Sequence, residues 1–149
     1  MPNETLPDFP DAFLKVRQAF IYGKPGEWVI IIALEPFEYD GETVSTKFNF
    51  DAFPWDVREP SELAGTSHSF SREVREKSNI EGSIYLNHAH NPVDIRCIEF
   101  GQSNLEGVEA TLSFDIDFDF EGGGFKNRAG TITCLLQCKN PTVGYRVIK

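Results

Sequence analysis

Residues 111–120 have the sequence TLSFDIDFDF, in which polar and apolar side chains alternate without a break. Successive side chains of a β-strand point to opposite faces of the sheet, so a strand would give this segment one apolar face and one polar face. A helix would scatter both sets around its circumference. The pattern therefore predicts a strand, residues 108–121 in full, with three carboxylates on its polar face: Asp115, Asp117 and Asp119.

The segments on either side of this strand predict an antiparallel sheet. Short apolar-rich segments at 83–87, 93–100 and 129–137 have the length and composition of strands, and turn-forming residues separate them at 88–92 and 122–124. Sequential strands on short connections usually pair with their neighbours. We therefore expect an antiparallel β-meander.

The first part of the chain predicts one helix followed by one buried strand. Phe13, Val16 and Phe20 fall on one stripe of a helix at residues 11–22. Residues 28–34 are apolar at every position, which is typical of a strand covered on both faces. The helix is the natural cover for one of those faces.

These elements fit one domain. The chain has 149 residues and shows no linker, internal repeat or low-complexity tract, so we assign residues 1–149 to a single domain. The predicted fold class is mainly β, of the α+β type: an antiparallel β-meander that forms a sandwich or a strongly curved sheet, with one N-terminal helix packed on it. A second, short helix is predicted at residues 71–78, with Ser71 as its N-cap.

Charge limits the classes of partner. The formal net charge is −9 at pH 7. Nucleic acid and anionic membrane surfaces are disfavoured, because Lys and Arg drive binding to both. A basic protein or a cation fits this charge better. The longest apolar run, residues 28–34, is also far shorter than the ~20 residues of a membrane-spanning helix.

The cysteines and the N-terminal residues indicate a cytoplasmic location. The chain has 3 cysteines without the spacing of a disulfide framework, which favours reduced thiols. Residues 1–11 have neither the basic nor the apolar region of a secretory signal. We therefore expect a cytoplasmic protein.

The three aspartates form the first candidate site. Alternate residues of a strand stand about 7 Å apart, so the carboxylates repel one another unless a cation lies between them. The returning strand at 129–137 offers no Lys or Arg opposite them in either register that its apolar residues allow. Three interpretations remain open: a solvated face screened by salt or by a cation of another strand such as Arg96, a docking surface for a basic protein, and a divalent-cation site. The Ca²⁺-loop pattern is not met from either starting position. In a loop that starts at Asp115, Phe120 occupies the position of the required Gly, and in one that starts at Asp117, Arg128 occupies the position of the required Glu.

A second candidate site lies around two histidines. His88 and His90 have a spacing that is usual for metal ligands at the end of a strand. Together with Gly82, Asp94 and Gly101 they resemble the first motif of the cupin family. Asp94 stands where the family has Glu, and no histidine follows position 90 to supply the second motif. The resemblance implies a small barrel that holds a divalent metal through His88 and His90, with Asp94 as a candidate third ligand.

We interpret the chain as a small acidic binding protein that is not an enzyme and needs no cofactor. Its aspartate face would neutralise a basic partner protein, as acidic inhibitor or immunity-type proteins do. One alternative is a metal-dependent enzyme at the histidine pair. Another is a carrier of small apolar ligands, which requires an interior pocket lined by Phe100, Phe114 and Phe118. Edge strands such as residues 142–148 would also allow copies of the chain to form a homo-oligomer.

Overall fold

A computed structural model describes residues 6–86, 89–120 and 124–139. Within these ranges the chain is mainly β, with one α-helix, α1 (Arg72–Ser78), and two 3₁₀ turns, Asp11–Leu14 and Pro60–Leu63. The strands are β1 (Val16–Lys24), β2 (Glu27–Leu34), β3 (Phe37–Tyr39), β4 (Glu42–Val44), β5 (Lys47–Phe53), β6 (Ser67–Ser69), β7 (Glu81–Leu86), β8 (Ala89–Ser103), β9 (Gly107–Ile116) and β10 (Arg128–Gln137).

Seven of the strands form a closed barrel. Around the ring the order is β8, β7, β5, β2, β1, β10 and β9, and β9 pairs in turn with β8. Neighbouring strands run antiparallel except β1 and β10, which are parallel and place Ala19 opposite Leu136. The short strand β6 pairs with residues 97–99 of β8, and β3 and β4 form a separate two-stranded hairpin.

One face of each strand supplies the barrel interior. In β9 the inward residues are every second one from Val108 to Ile116, and each is at most 1% exposed. A barrel of about this size has an interior that side chains can fill, and Ile30, Phe48 and Ile84 of three other strands belong to the same core. Each fully buried side chain of this kind contributes about 1.5–3 kcal/mol to folding.

Aromatic side chains close the end of the barrel where β1 begins. Phe9 is 1% exposed, and its ring centroid lies 5.4 Å from that of Phe118 and 5.2 Å from that of Phe125. Phe13 stacks on Phe37, with 3.9 Å between the centroids. We call these five rings, together with that of Tyr39, the aromatic cluster. It fixes the N-terminal segment over the barrel.

The segment between β5 and α1 closes the opposite end. Trp55, Leu63 and Phe70 are all buried. The Trp55 ring stacks on Phe53 with 4.5 Å between centroids, and the Trp55 carbonyl accepts a hydrogen bond of 3.1 Å from Nε1 of Trp28. With both ends covered, the interior is shielded from water along the whole barrel.

The N-terminal helix predicted at residues 11–22 is wrong. Only its first turn is helical, as the 3₁₀ turn Asp11–Leu14, and residues 16–22 belong to β1. This strand buries three consecutive residues, Ala19, Phe20 and Ile21. Consecutive burial is typical of a strand that is covered on both faces, whereas an amphipathic helix buries only the residues of one stripe. Its hydrogen-bonding partners are β2 and, at two positions, β10.

The predicted sandwich or curved meander is also wrong, because the sheet closes on itself. Closure depends on the parallel pairing of β1 with β10, a long-range contact that no local pattern indicates. The mainly β class is confirmed. The central strand is shorter than predicted, since β9 ends at Ile116 although Phe118 is still buried. The turn predicted at 88–92 is wrong for residues 89–92, which belong to β8 and pair with β7.

The short helix α1 is confirmed, together with its cap. The Ser71 hydroxyl accepts a hydrogen bond of 3.2 Å from the backbone N–H of Val74. Across the three described ranges, no helix has the length and apolar character needed to cross a membrane. The predicted strand at 142–148 and residues 122–123 of the predicted glycine turn lie outside the described residues.

Candidate functional site

Asp115 faces outward from β9 and pairs with a cation. Its carboxylate lies 3.1 Å from the Arg96 guanidinium of β8. On the other side β10 places the uncharged Ala129 opposite it. Its neighbour on β8 is Asp94, which in turn lies 3.7 Å from the Arg75 guanidinium. The surroundings of Asp115 are therefore those of a solvated face that is screened by a cation. This is the first of the three interpretations given for the aspartates.

Asp117 and Asp119 follow the end of β9 and stabilise a turn. Oδ1 of Asp117 accepts hydrogen bonds of 3.1 and 3.2 Å from the backbone N–H groups of Asp119 and Phe120. Asn127 donates from Nδ2 to the Asp119 carboxylate at 3.3 Å and accepts from the Asp119 N–H at 3.0 Å. Asp side chains commonly stabilise turns in this way. The three aspartates thus do not form one row of strand positions, because only Asp115 belongs to β9.

The histidine site is divided between described and undescribed residues. His88 lies outside the described residues, whereas His90 and Asp94 lie on the outer face of β8 and are exposed. Four residues of strand separate these two positions by about 13 Å. The cupin resemblance implies ligands inside a barrel, but the inward residues here are Asn91 and Val93. No group of three His, Cys, Asp or Glu side chains suited to a metal occurs in the part of the chain that the structure describes.

The three phenylalanines of the carrier hypothesis pack in different places. The Phe114 ring lies 4.9 Å from that of Phe48 in the middle of the barrel. Phe118 belongs to the aromatic cluster at one end, and Phe100 lies 5.4 Å from the Trp55 ring at the other end. Ring-to-ring packing of this kind is that of a filled core.

A further group of carboxylates lies on the β3–β4 hairpin. A groove of about 510 Å³ runs between this hairpin and β7. We call it the acidic groove, and the residues that line it are Tyr39, Asp40, Glu42, Thr43, Val44, Ser45, Tyr85 and Leu86. Neither Asp40 nor Glu42 forms an ion pair with another described residue. Their charges are therefore available to a partner.

Local sequence explains why this hairpin forms. Asp40 and Gly41 have φ values of +53° and +79°, which suit a two-residue hairpin turn and favour the Asp-Gly pair found there. Phe37 and Tyr39 pack into the aromatic cluster and so anchor β3 to the barrel. Glu42 pairs with Tyr39 across the hairpin and therefore shares its face, which borders the acidic groove.

Tyrosine rings and carboxylates meet in the acidic groove. Tyr85 lies on the wall opposite the hairpin, and 49% of its surface is exposed. The face of an aromatic ring attracts a cation, and a carboxylate forms strong hydrogen bonds with Lys and Arg. The groove is thus chemically suited to a positively charged side chain.

A sequence signal for the acidic groove exists. Residues 35–46 contain no Lys or Arg but include Glu35, Glu38, Asp40 and Glu42. An acidic block without compensating bases indicates an interaction surface. The alternation at 111–120 is a more regular pattern, but it reports only which face of a strand each side chain occupies.

Burial shifts the pKa values of several groups that lie outside the acidic groove. It raises the pKa of the Cys134 thiol to about 12, so this cysteine stays protonated and is a poor nucleophile. It also lowers the pKa of His68. Burial, followed by the charge of Glu81 on the adjacent strand, raises the pKa of Asp51. Burial is the largest cause of each of these shifts.

No protein-family model, curated protein or solved structure matches the chain. Function is therefore inferred from the charges, exposed rings and clefts of this barrel alone.

Proposed function

We propose that this protein is a small, non-enzymatic interaction protein that binds a positively charged segment of a partner protein. One observation carries the proposal: the acidic groove places carboxylates without ion-pair partners among the described residues beside an exposed tyrosine ring. A Lys or Arg side chain that enters the groove meets both a negative charge and a ring face. The net charge of −9 adds long-range attraction for the same partner.

The aspartates around the end of β9 are a second candidate surface for this partner. Asp115 already pairs with Arg96, and Asp117 and Asp119 already bond to groups of their own turn. A basic partner would have to compete with these contacts. The acidic groove presents no such competition from the described residues, which favours it as the docking surface.

A cytoplasmic location belongs to the same proposal. Cys97, Cys134 and Cys138 are all free thiols, as expected in a reducing compartment. Nucleic acid and anionic membranes are not expected partners, because the net charge of −9 opposes both.

Two charge-matched triple variants separate the two surfaces. The groove variant combines Asp40→Asn and Glu42→Gln in the acidic groove with Glu38→Gln on the same hairpin, and the aspartate variant combines Asp115→Asn, Asp117→Asn and Asp119→Asn. Each removes the same number of negative charges, and each keeps side chains that accept hydrogen bonds. The probe is an end-blocked peptide of alternating glycine and lysine, and its control is the same peptide with glutamine in place of lysine.

We expect the lysine peptide to shift the amide NMR signals of Tyr39, Glu42 and Tyr85 in the natural sequence. Its affinity should fall about tenfold in the groove variant and much less in the aspartate variant, because only the groove variant removes the carboxylates that bind the lysine side chains. Signal changes centred on Asp115, or an equal weakening in both variants, would show that the groove is not the site. Equal binding of the glutamine peptide would rule out a basic partner.

A further inference from the structure

A second cleft, of about 410 Å³, lies on the outer face of the barrel beside the acidic groove. It crosses β1, β2, β5, β7 and β8 in their order around the ring. We call it the cationic cleft, and the described residues that determine its charge and shape are Arg17, Ala33, Lys47, Asn49, Tyr85 and His90.

The charge of this cleft is opposite in sign to that of the whole protein. Arg17 and Lys47 line it, and no described lining residue is a carboxylate. Neither cation forms an ion pair with another residue in the described ranges. Two cations exposed to one cleft in a chain of net charge −9 are available to an external anion.

Strand register brings the two cations to either side of Ala33. Ala33 of β2 pairs with Lys47 of β5 and with Gln18 of β1, and Arg17 occupies the bulge next to Gln18. Neighbouring strands lie about 4.8 Å apart, so the backbones that carry the cations are about 10 Å apart. The side chain between them is a single methyl group. Both long side chains therefore have room to reach one anion above Ala33.

The far side of the cleft supplies an aromatic surface and polar groups. Tyr85 and His90 pair across β7 and β8, with 4.9 Å between their ring centroids and an angle of 63° between the rings. Asn49 and Ser83 pair across β5 and β7 and lie in the same cleft. An apolar surface with a few polar groups is typical of a small-molecule site.

We propose that the cationic cleft binds a small organic anion. A carboxylate or phosphate group lies between Arg17 and Lys47, and the attached apolar ring packs against Tyr85. Charge-assisted hydrogen bonds from two cations fix the anionic group, and burial of the ring adds affinity. A neutral ligand cannot form the charged contacts with Arg17 and Lys47, and a cationic ligand is repelled by them.

This inference goes beyond the binding of a basic partner. It concerns a different cleft and a ligand of the opposite charge, although the acidic groove and the cationic cleft share Tyr85 and Ser45. The groove variant keeps Arg17 and Lys47. It should therefore retain anion binding even where it no longer binds the lysine peptide, so either proposal can fail without the other.

Three probes of equal ring size test the ligand class: 2-naphthoate, 2-naphthyl phosphate and the neutral 2-naphthylmethanol. Each is titrated into the full chain and followed by amide NMR signals. We expect at least one anion to shift the signals of Ala33, Lys47 and Tyr85, and to bind at least about tenfold more tightly than the alcohol. The tighter anion identifies the preferred charged group. Equal binding of the alcohol, or no binding of either anion at millimolar concentration, would overturn the proposal.

Single variants test the two cations. Lys47→Gln and Arg17→Gln should each weaken binding of the preferred anion about tenfold. Lys126→Gln is the matched control, because it removes the same charge from an exposed lysine outside the cleft. It should leave the affinity within about twofold, since only long-range attraction changes. An equal weakening in the control would mean that net charge alone attracts the anion, and the cleft would have no specific role.

Discussion

His68 lies in the segment that closes one end of the barrel, and its ring is held by aromatic neighbours. The ring centroid is 5.1 Å from that of Trp55 and 5.7 Å from that of Phe100. Its Nε2 atom is 2.8 Å from the Thr66 hydroxyl oxygen. Burial lowers the pKa of His68, because a charged imidazole loses hydration in this place. The folded protein therefore favours the neutral ring.

We predict that stability falls on mild acidification because of His68. In the unfolded chain this side chain takes up a proton near pH 6.5, but in the folded chain it does so only at lower pH. Between these two pKa values the unfolded state binds more protons, so the free energy of unfolding decreases as the pH falls from about 6.5 towards the folded pKa. Urea unfolding near pH 7.5 and near pH 5.5 measures this decrease. It should be smaller in His68→Gln, and an equal decrease in both proteins would contradict the prediction.

From sequence, Asp115 is predicted to face outward and Arg96 is a candidate partner, but the register that brings the two together is not predicted. Alternation alone shows that Asp115 faces away from the core. Its contact with Arg96 depends on the register between β8 and β9, where the pairing shifts between Ile95 and Cys97. Arg96 occupies this irregularity. A bulge can redirect a side chain in this way, and no local pattern in β8 predicts its position.

Gly82 allows three strands to approach closely. It lies on β7, pairs with Phe50 of β5, and its inward side faces the ring of that residue. A Cβ atom at this position would lie 2.3 Å from the carbonyl oxygen of Val93 on β8 and 2.7 Å from Phe50 Cδ1. Close packing therefore explains why position 82 is a glycine, and the cupin-like motif is not needed to explain it.

Gly82→Ala should lower the free energy of unfolding by about 1–3 kcal/mol, because backbone and ring must both move to admit the methyl group. Gly101→Ala is the control. A Cβ at Gly101 would meet only the flexible side chain of Glu109, at 2.9 Å from Oε1, so we expect a change within about 0.5 kcal/mol. Chemical denaturation of both variants measures the difference. Equal stabilities would show that β7 has room for a methyl group between its two neighbours.

Elements with a local signal were predicted well, and those with a distant partner were not. Residues 28–34 were recognised as a strand because an unbroken apolar run is a strong signal, and α1 was recognised through the cap at Ser71. The apolar residues of segment 11–22 fall on one helical stripe by coincidence. Its strand conformation is stabilised by β2 and by Leu136 and Gln137, more than a hundred residues away. Tertiary pairing overrode the local pattern.

Phe9 ties the N-terminal segment to the barrel. Phe9→Ala should cost about 3–5 kcal/mol, because it empties the centre of the aromatic cluster. This is a large part of the ~5–15 kcal/mol by which a domain is usually stable. Phe120→Ala, at a position 70% exposed, should change stability by less than about 0.5 kcal/mol. Urea unfolding monitored by circular dichroism compares them, and a small effect of Phe9→Ala would mean that the cluster is not a structural closure.

The cationic cleft combines residues of several strands, which explains why sequence did not predict it. Arg17, Lys47, Tyr85 and His90 come from four strands, and the strand order β8, β7, β5, β2 and β1 places them on one face. Net charge is a sum over the molecule and hides a cleft of the opposite sign. The acidic block at 35–42 was accessible from sequence, because its charges are adjacent along the chain.

The parallel pairing of β1 with β10 joins two segments that the ribosome synthesises at well-separated times. Ala19 is synthesised more than a hundred residues before its partner Leu136. Until then the nascent chain exposes an unpaired strand edge, and such edges associate readily with other chains. Pairings between distant residues also form slowly. Protection by chaperones during translation would therefore matter more for this barrel than for a protein of the same size whose strands pair only with their neighbours in sequence.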